Sequence, residues 1–130
     1  MPIQPFVKCS EITELLSFYT EVLDFNVLQA PDHDPTAFMS KYALLERKGD
    51  RIHLSSHSGD GAFGNLFYIP VEDVDIIYNQ FIHNGLQTEA EEEKSCVVIK
   101  PVEQTWGMKE FSVADPDGNR ITFGHEITFQ

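Results

Sequence analysis

The stretch RIHLSSH, residues 51–57, sets two histidines four apart, and WGMKEFS, residues 106–112, sets the only tryptophan of the chain beside a methionine and a glutamate. The first spacing suits a metal chelate on a helix, where positions i and i+4 converge. RIHLSS alternates apolar and polar residues, which is the period of a strand, and four strand residues span roughly 13 Å, too far for His53 and His57 to share one ion. The second stretch suits molecular recognition. An indole face can stack a flat ring for ~0.5–1.5 kcal/mol beyond its area burial and can hold a desolvated cation for ~1–2 kcal/mol. No Gly-rich phosphate loop, GxSxG, CxxC or HExxH occurs in the chain. Cys9 and Cys96 lie in apolar settings, FVKCS and SCVVI, with no second cysteine at ligand spacing. The strand parity of Cys9 aims it into the core, where a thiolate is disfavoured. His33, His83 and His125 read as exposed histidines without a role.

These residues must be positioned by a pattern that occurs twice. After IQPFVKC, the segment EITELLSFYTEVLDF repeats apolar residues at Ile12, Leu15, Leu16, Tyr19 and Leu23, the steps of a helix, with Ser10 as its expected N-cap. After LFYIPV, the segment EDVDIIYNQFIHNGLQ does the same at Val74, Ile77, Tyr78 and Phe81, with Asp73 as cap and Gly85 as terminator. Strands follow each helix: about 25–30, 41–47 and 50–56 in the first half, and about 86–90, 107–114 and 119–128 in the second, with a further extended piece in 95–104. Turns are expected at Gly49-Asp50 and at Asp115-Pro116-Asp117-Gly118, the latter with the aspartate, proline and glycine of a type I turn. The fold class is α+β, one domain over residues 1–130 with internal modules of roughly 1–60 and 64–130.

Period-two alternation assigns the faces. Phe111, Val113, Ile121 and Phe123 should pack beneath the helices, leaving Trp106, Met108, Glu110, Ser112, Arg120 and Thr122 on the other face. Ile52 and Leu54 face inward, opposite Arg51, His53, Ser55 and His57. Leu66, Tyr68 and Pro70 oppose Phe67, Ile69 and Val71.

The chain carries 21 acidic against 9 basic residues, a formal net charge of −12. A field of that sign repels phosphate backbones and anionic lipid, so neither nucleic acid nor membrane is an expected partner. Part of the charge lies in EAEEE, residues 89–93, which reads as a solvated edge. MPIQPFVK lacks the apolar run of a secretory signal, and no segment approaches the ~20 apolar residues of a membrane span. The expectation is a cytoplasmic protein with reduced thiols.

FYTEVLDF (18–25), YIPVEDVD (68–75) and WGMKEFSVADPDGNRITFG (106–124) together resemble the glyoxalase/bleomycin-resistance/dioxygenase, or vicinal oxygen chelate, superfamily. The resemblance covers nearly the whole chain in order and spacing, and DPDGN after WGMxEF is its most specific part. It implies two βαβββ modules whose strands curl into a cup-shaped mixed sheet with helices outside, commonly completed in a homodimer. Enzymes of the family hold a metal at four inward positions, which fall here on Gln4, His53, Leu66 and Thr122. His53 is a good ligand and Gln4 a passable one, but leucine has no lone pair to give and a threonine hydroxyl is a weak donor. Glu126 shares the parity of Thr122 yet stands roughly 13 Å further along the strand.

That departure from the family's pattern points to its bleomycin-resistance branch, whose members resemble one another as small acidic dimers that sequester a cationic, planar antibiotic unaltered. The expectation is a non-catalytic binder of a cationic aromatic small molecule, without metal or other cofactor. Its ligand-binding residues would be Trp106 as platform, Met108 as adaptable contact and Glu110 as charge partner, with His53, Tyr68 and Ser112 as orienting hydrogen-bonding groups and Phe38 and Phe63 as aromatic flaps. Each has a plainer role beside it: Trp106 in a core or dimer interface, Phe38 and Phe63 packed at an edge, His53 as a buried structural histidine. A metal-dependent glyoxalase, lyase or dioxygenase of the same fold is the alternative.

Overall fold

The computed structural model describes residues 3–57, 59, 64–86 and 97–127. The chain divides into two compact units, Met1–Asn65 and Leu66–Gln130.

In the first unit β1 (Phe6–Lys8) leads into α1 (Ile12–Ser17), which continues as a π-helical turn over Phe18–Val22. Strands β2 (Asn26–Gln29), β3 (Tyr42–Arg47) and β4 (Asp50–Ser55) follow, with a 3-10 turn at Phe38–Lys41 before β3. The sheet runs β1-β4-β3-β2, with β1 parallel to β4 and the other pairs antiparallel. Alternation sends Val7, Ala43, Leu45, Ile52 and Leu54 inward, all at 2% exposure or less. The helical segment buries Leu15, Phe18, Tyr19 and Leu23, and the Tyr19 ring meets Phe18 and Phe25 edge-on. The wider turn at Phe18–Val22 closes with Leu23 N–H donating to the Phe18 carbonyl at 3.3 Å. The expected cap is corrected: the N-cap position is Glu11 rather than Ser10, and its side chain makes no capping bond. The β3–β4 turn also shifts by one residue. Lys48 and Gly49 are its centre, both at positive φ (48° and 89°), and Asp50 already pairs with Arg47.

The second unit repeats the order: β5 (Leu66–Pro70), α2 (Val74–His83), β6 (Val97–Glu103), β7 (Met108–Ala114) and β8 (Arg120–Glu126), in a sheet running β5-β8-β7-β6. Asp73 caps α2 as expected, its carboxylate accepting from Asp75 and Ile76 N–H. Phe111, Val113, Ile121 and Phe123 are fully buried, and the Phe81 ring packs edge-on against Phe111 and Phe123. Each such phenylalanine contributes ~1.5–3 kcal/mol of burial. At Asp115–Gly118 the turn bond forms, Gly118 N–H to the Asp115 carbonyl at 3.0 Å. The Asp115 carboxylate also accepts from Asp117 N–H, Asn119 N–H and Asn119 Nδ2 at 2.8–2.9 Å. Phe63, Cys96, EAEEE and positions 87–90 of the expected strand lie outside the described residues.

The two sheets share one register. Phe6 and Leu44 flank His53 in the first, and Tyr68 and Ser112 flank Thr122 in the second. The bond that ends each parallel pair corresponds as well: Cys9 N–H to Ser55 O, and Val71 N–H to Gly124 O, both 2.9 Å. This equivalence puts Gln4 and His53 in the same places as Leu66 and Thr122. The four positions singled out from the sequence therefore occupy matching sites of a duplicated unit.

Candidate functional site

In the first unit, the outward face of β1, β3 and β4 gathers Gln4, Phe6, Tyr42 and His53. The His53 ring lies flat on Phe6, 4.5 Å between centroids and 6° between planes. His53 Nε2 and Gln4 Oε1 are 2.9 Å apart, and His53 Nδ1 and the Tyr42 hydroxyl 2.5 Å. With Gln4 offering a carbonyl oxygen, Nε2 carries the proton and Nδ1 accepts from Tyr42. Burial, followed by the charge of Arg51, pushes the His53 pKa below its ordinary value, which favours this neutral ring. Burial raises the Tyr42 phenol. Sequence reasoning found His53 and Gln4 but missed Phe6 and Tyr42. The available signal was strand parity, since Tyr42 opens β3 two residues before Leu44, the partner of His53.

In the second unit, the corresponding face holds Tyr68, Glu110, Ser112, Arg120 and Thr122. Glu110 is a carboxylate at only 8% exposure, and Tyr68 donates its hydroxyl to it. Burial first, then this bond and the carboxylate's charge, push the Tyr68 phenol up to about 12. Gly124, paired with Glu110 and with Pro70, lies under the phenol. A Cβ there would overlap the Tyr68 hydroxyl, stand 2.6 Å from its ring and 3.1 Å from Glu110 Cγ. A glycine inside a strand is the sequence signal of such a close approach. Ser112 and Thr122 share a hydrogen bond at 2.9 Å.

The other expected site residues are placed less uniformly. Trp106 does not belong to β7, so strand parity does not orient it. It sits in the β6–β7 turn, where Gly107 N–H donates to Gln104 O at 3.3 Å, and it is 64% exposed. Met108 starts β7 and is half-buried. Phe38 is 74% exposed, yet one face of its ring stacks on His57 at 4.1 Å. Leu66 is 68% exposed. Glu126 pairs with Met108, two pairs beyond Thr122 on the same strand face. His33 and His83 are exposed as expected. His125 is not: half-buried, its Nδ1 accepts the first helical N–H of α2, from Val74, at 2.8 Å.

The donors at the four matched positions fit a catalytic divalent ion poorly. Such an ion normally takes about three nitrogen or carboxylate ligands. The first unit offers one imidazole and one amide, and the second an aliphatic side chain and a hydroxyl already bonded to Ser112. Among the described residues no group of three or more His, Cys, Asp and Glu could hold a metal ion. Nor is any described helix long and apolar enough to cross a membrane.

The family model described as Glyoxalase/Bleomycin resistance protein/Dioxygenase superfamily matches residues 6–123. No curated protein matches the chain in sequence. Among solved structures, the bleomycin-binding protein of bleomycin-producing Streptomyces verticillus, complexed with copper(II)-bleomycin, is 23% identical. The match covers 99% of this chain and 97% of that one, with a TM-score of 0.69. TioX from Micromonospora sp. ML1 matches at 16% identity over 96% and 98% of the two chains, TM-score 0.73. A superfamily member from Sphaerobacter thermophilus matches at 18% identity over 95% and 94%, TM-score 0.69. At these identities the structural likeness establishes the fold alone.

Proposed function

The chain belongs to the glyoxalase/bleomycin resistance protein/dioxygenase superfamily, and from that premise we propose that it is a non-catalytic binding protein that sequesters a cationic aromatic small molecule of the bleomycin type. One observation carries the reading. The face of the second unit that has no strong metal donor at Leu66 and Thr122 keeps a carboxylate, Glu110, largely out of water. An anionic group so placed favours a cation brought in by a ligand. Trp106, exposed on the neighbouring turn, supplies a flat surface for an aromatic group, and Met108 supplies adaptable apolar contact. The fold's occurrence in a protein solved with copper(II)-bleomycin supports the ligand class. Ser112, on the same face of the second unit, is proposed as a secondary contact, and the functional assembly as a homodimer.

The competing reading is a metal-dependent glyoxalase, lyase or dioxygenase. It draws support from Gln4 Oε1 and His53 Nε2, 2.9 Å apart at two family positions. Equilibrium dialysis of the EDTA-treated protein against bleomycin, followed by mass spectrometry of the retained ligand, tests the choice. Retention with the ligand recovered unchanged is expected. Chemical conversion that needs added divalent metal would contradict it.

A further inference from the structure

Each unit keeps an arginine at the same register position, and only one of the two is given a carboxylate. In the first unit Arg51 faces Glu46 across β3–β4, and its Nε donates to Glu46 Oε2 at 2.9 Å. In the second unit Arg120 opens β8 opposite Ala114, so a methyl group stands where the glutamate would be. Its neighbour on the parallel strand is Leu66, which offers no acceptor. Arg120 Nη2 reaches Ser112 Oγ at a long 3.4 Å, and Arg120 Nε is buried with no hydrogen-bond partner among the described residues. A guanidinium carries five donors in a fixed fork, and a buried donor without an acceptor is costly enough to require an explanation.

We propose that Arg120, with the hydroxyls of Ser112 and Thr122, forms an oxyanion subsite for a carboxylate or phosphoryl group of the ligand. The guanidinium fork matches both groups bidentately. Ser112 and Thr122 lie 2.9 Å apart. One hydroxyl donates to the other, which keeps its own proton for the ligand. Glu110 does not fill the role of Glu46, because it stands two face positions from Ala114 along β7, on the order of 13 Å, and takes the Tyr68 hydroxyl. The subsite rests on this face being a ligand surface. It narrows the ligand class to molecules that carry an oxyanion as well as the cation that Glu110 would hold.

The test follows the Nε–Hε resonances of Arg51 and Arg120 in the full chain by NMR while sodium benzoate, phenyl phosphate or benzylammonium chloride is added. A saturable shift of Arg120 with benzoate, phenyl phosphate or both, and none with benzylammonium, supports the subsite. Benzoate alone would identify a carboxylate, phenyl phosphate alone a phosphoryl group. Arg51, already paired, should stay still and so reports an intact fold. Ala114→Glu restores the internal partner and should weaken the response at least tenfold. Arg120→Gln should abolish the benzoate- and phosphate-induced shifts of the Ser112 and Thr122 amides. No saturable Arg120 response, or one that Ala114→Glu leaves unchanged, overturns the subsite. A chain that retains bleomycin but gives no Arg120 response to benzoate or phenyl phosphate overturns the subsite while leaving the sequestering function intact. An Arg120 response in a chain that ignores bleomycin upholds the subsite and removes that function.

Discussion

The Tyr68 hydroxyl occupies the space that a side chain on Gly124 would need. Because β8 carries no Cβ at that point, the phenol can lie across the strand and reach the Glu110 carboxylate on β7. One glycine thus sets where the buried acid of the second unit finds its partner.

Gly124→Ala should expel the phenol from this position. Overpacking of this kind costs ~1–3 kcal/mol, to be read from urea unfolding. The Tyr68 phenol, held at about 12 in the native chain, should fall toward the ordinary tyrosine value near ~10. Tyrosine-labelled NMR across alkaline pH measures it. The linkage has a definite sign. The unfolded chain releases this proton first, so native stability should decline as pH rises from about 10 to about 12, and decline less in the variant.

His53 should titrate below its ordinary value, since burial and then Arg51 disfavour its cation. Arg51→Gln should raise the midpoint without restoring it fully, because burial remains. As pH falls below about 6.5 the unfolded chain takes up the proton first, so this histidine contributes stability above that pH and loses it below. Imidazole resonances followed from pH 8 to 4 would show the midpoint. An unchanged midpoint in the variant would exclude the Arg51 contribution.

Trp106→Ala should weaken a cationic aromatic ligand by ~10–400-fold, the sum of stacking and cation contributions worth ~1.5–3.5 kcal/mol. Glu110→Gln should cost about tenfold or more for the same ligand and much less for an uncharged aromatic analogue. Calorimetric titration of both variants with both compounds separates the two effects. Full affinity in Trp106→Ala would remove the platform.

Asp73→Ala deletes the carboxylate that accepts from Asp75 and Ile76 N–H at the start of α2. A loss of ~1 kcal/mol is expected, with little change in ligand affinity. Thermal unfolding beside a binding assay checks both halves.

What the sequence made legible was local and periodic. Phe111, Val113, Ile121 and Phe123 were identifiable as core because strand alternation is strict, and Asp73 and Asp115 because capping and turn chemistry are local. The family resemblance, not the periodicity, singled out Gln4, His53, Leu66 and Thr122, which the shared register of the two sheets puts in matching places. Features that depend on two strands at once were harder to see. Tyr42 beside His53, Gly124 beneath Tyr68 and the missing counterpart of Glu46 opposite Arg120 all require knowing which residue pairs with which. Trp106 escapes the strand alternation because β7 begins only at Met108 and the residues before it turn.

The sequestering function is tested most directly by following Trp106 fluorescence as the EDTA-treated chain is titrated with metal-free bleomycin. Saturable quenching at a fixed ratio of ligand to chain, undiminished by EDTA, is the predicted result. A flat signal up to millimolar ligand would contradict it.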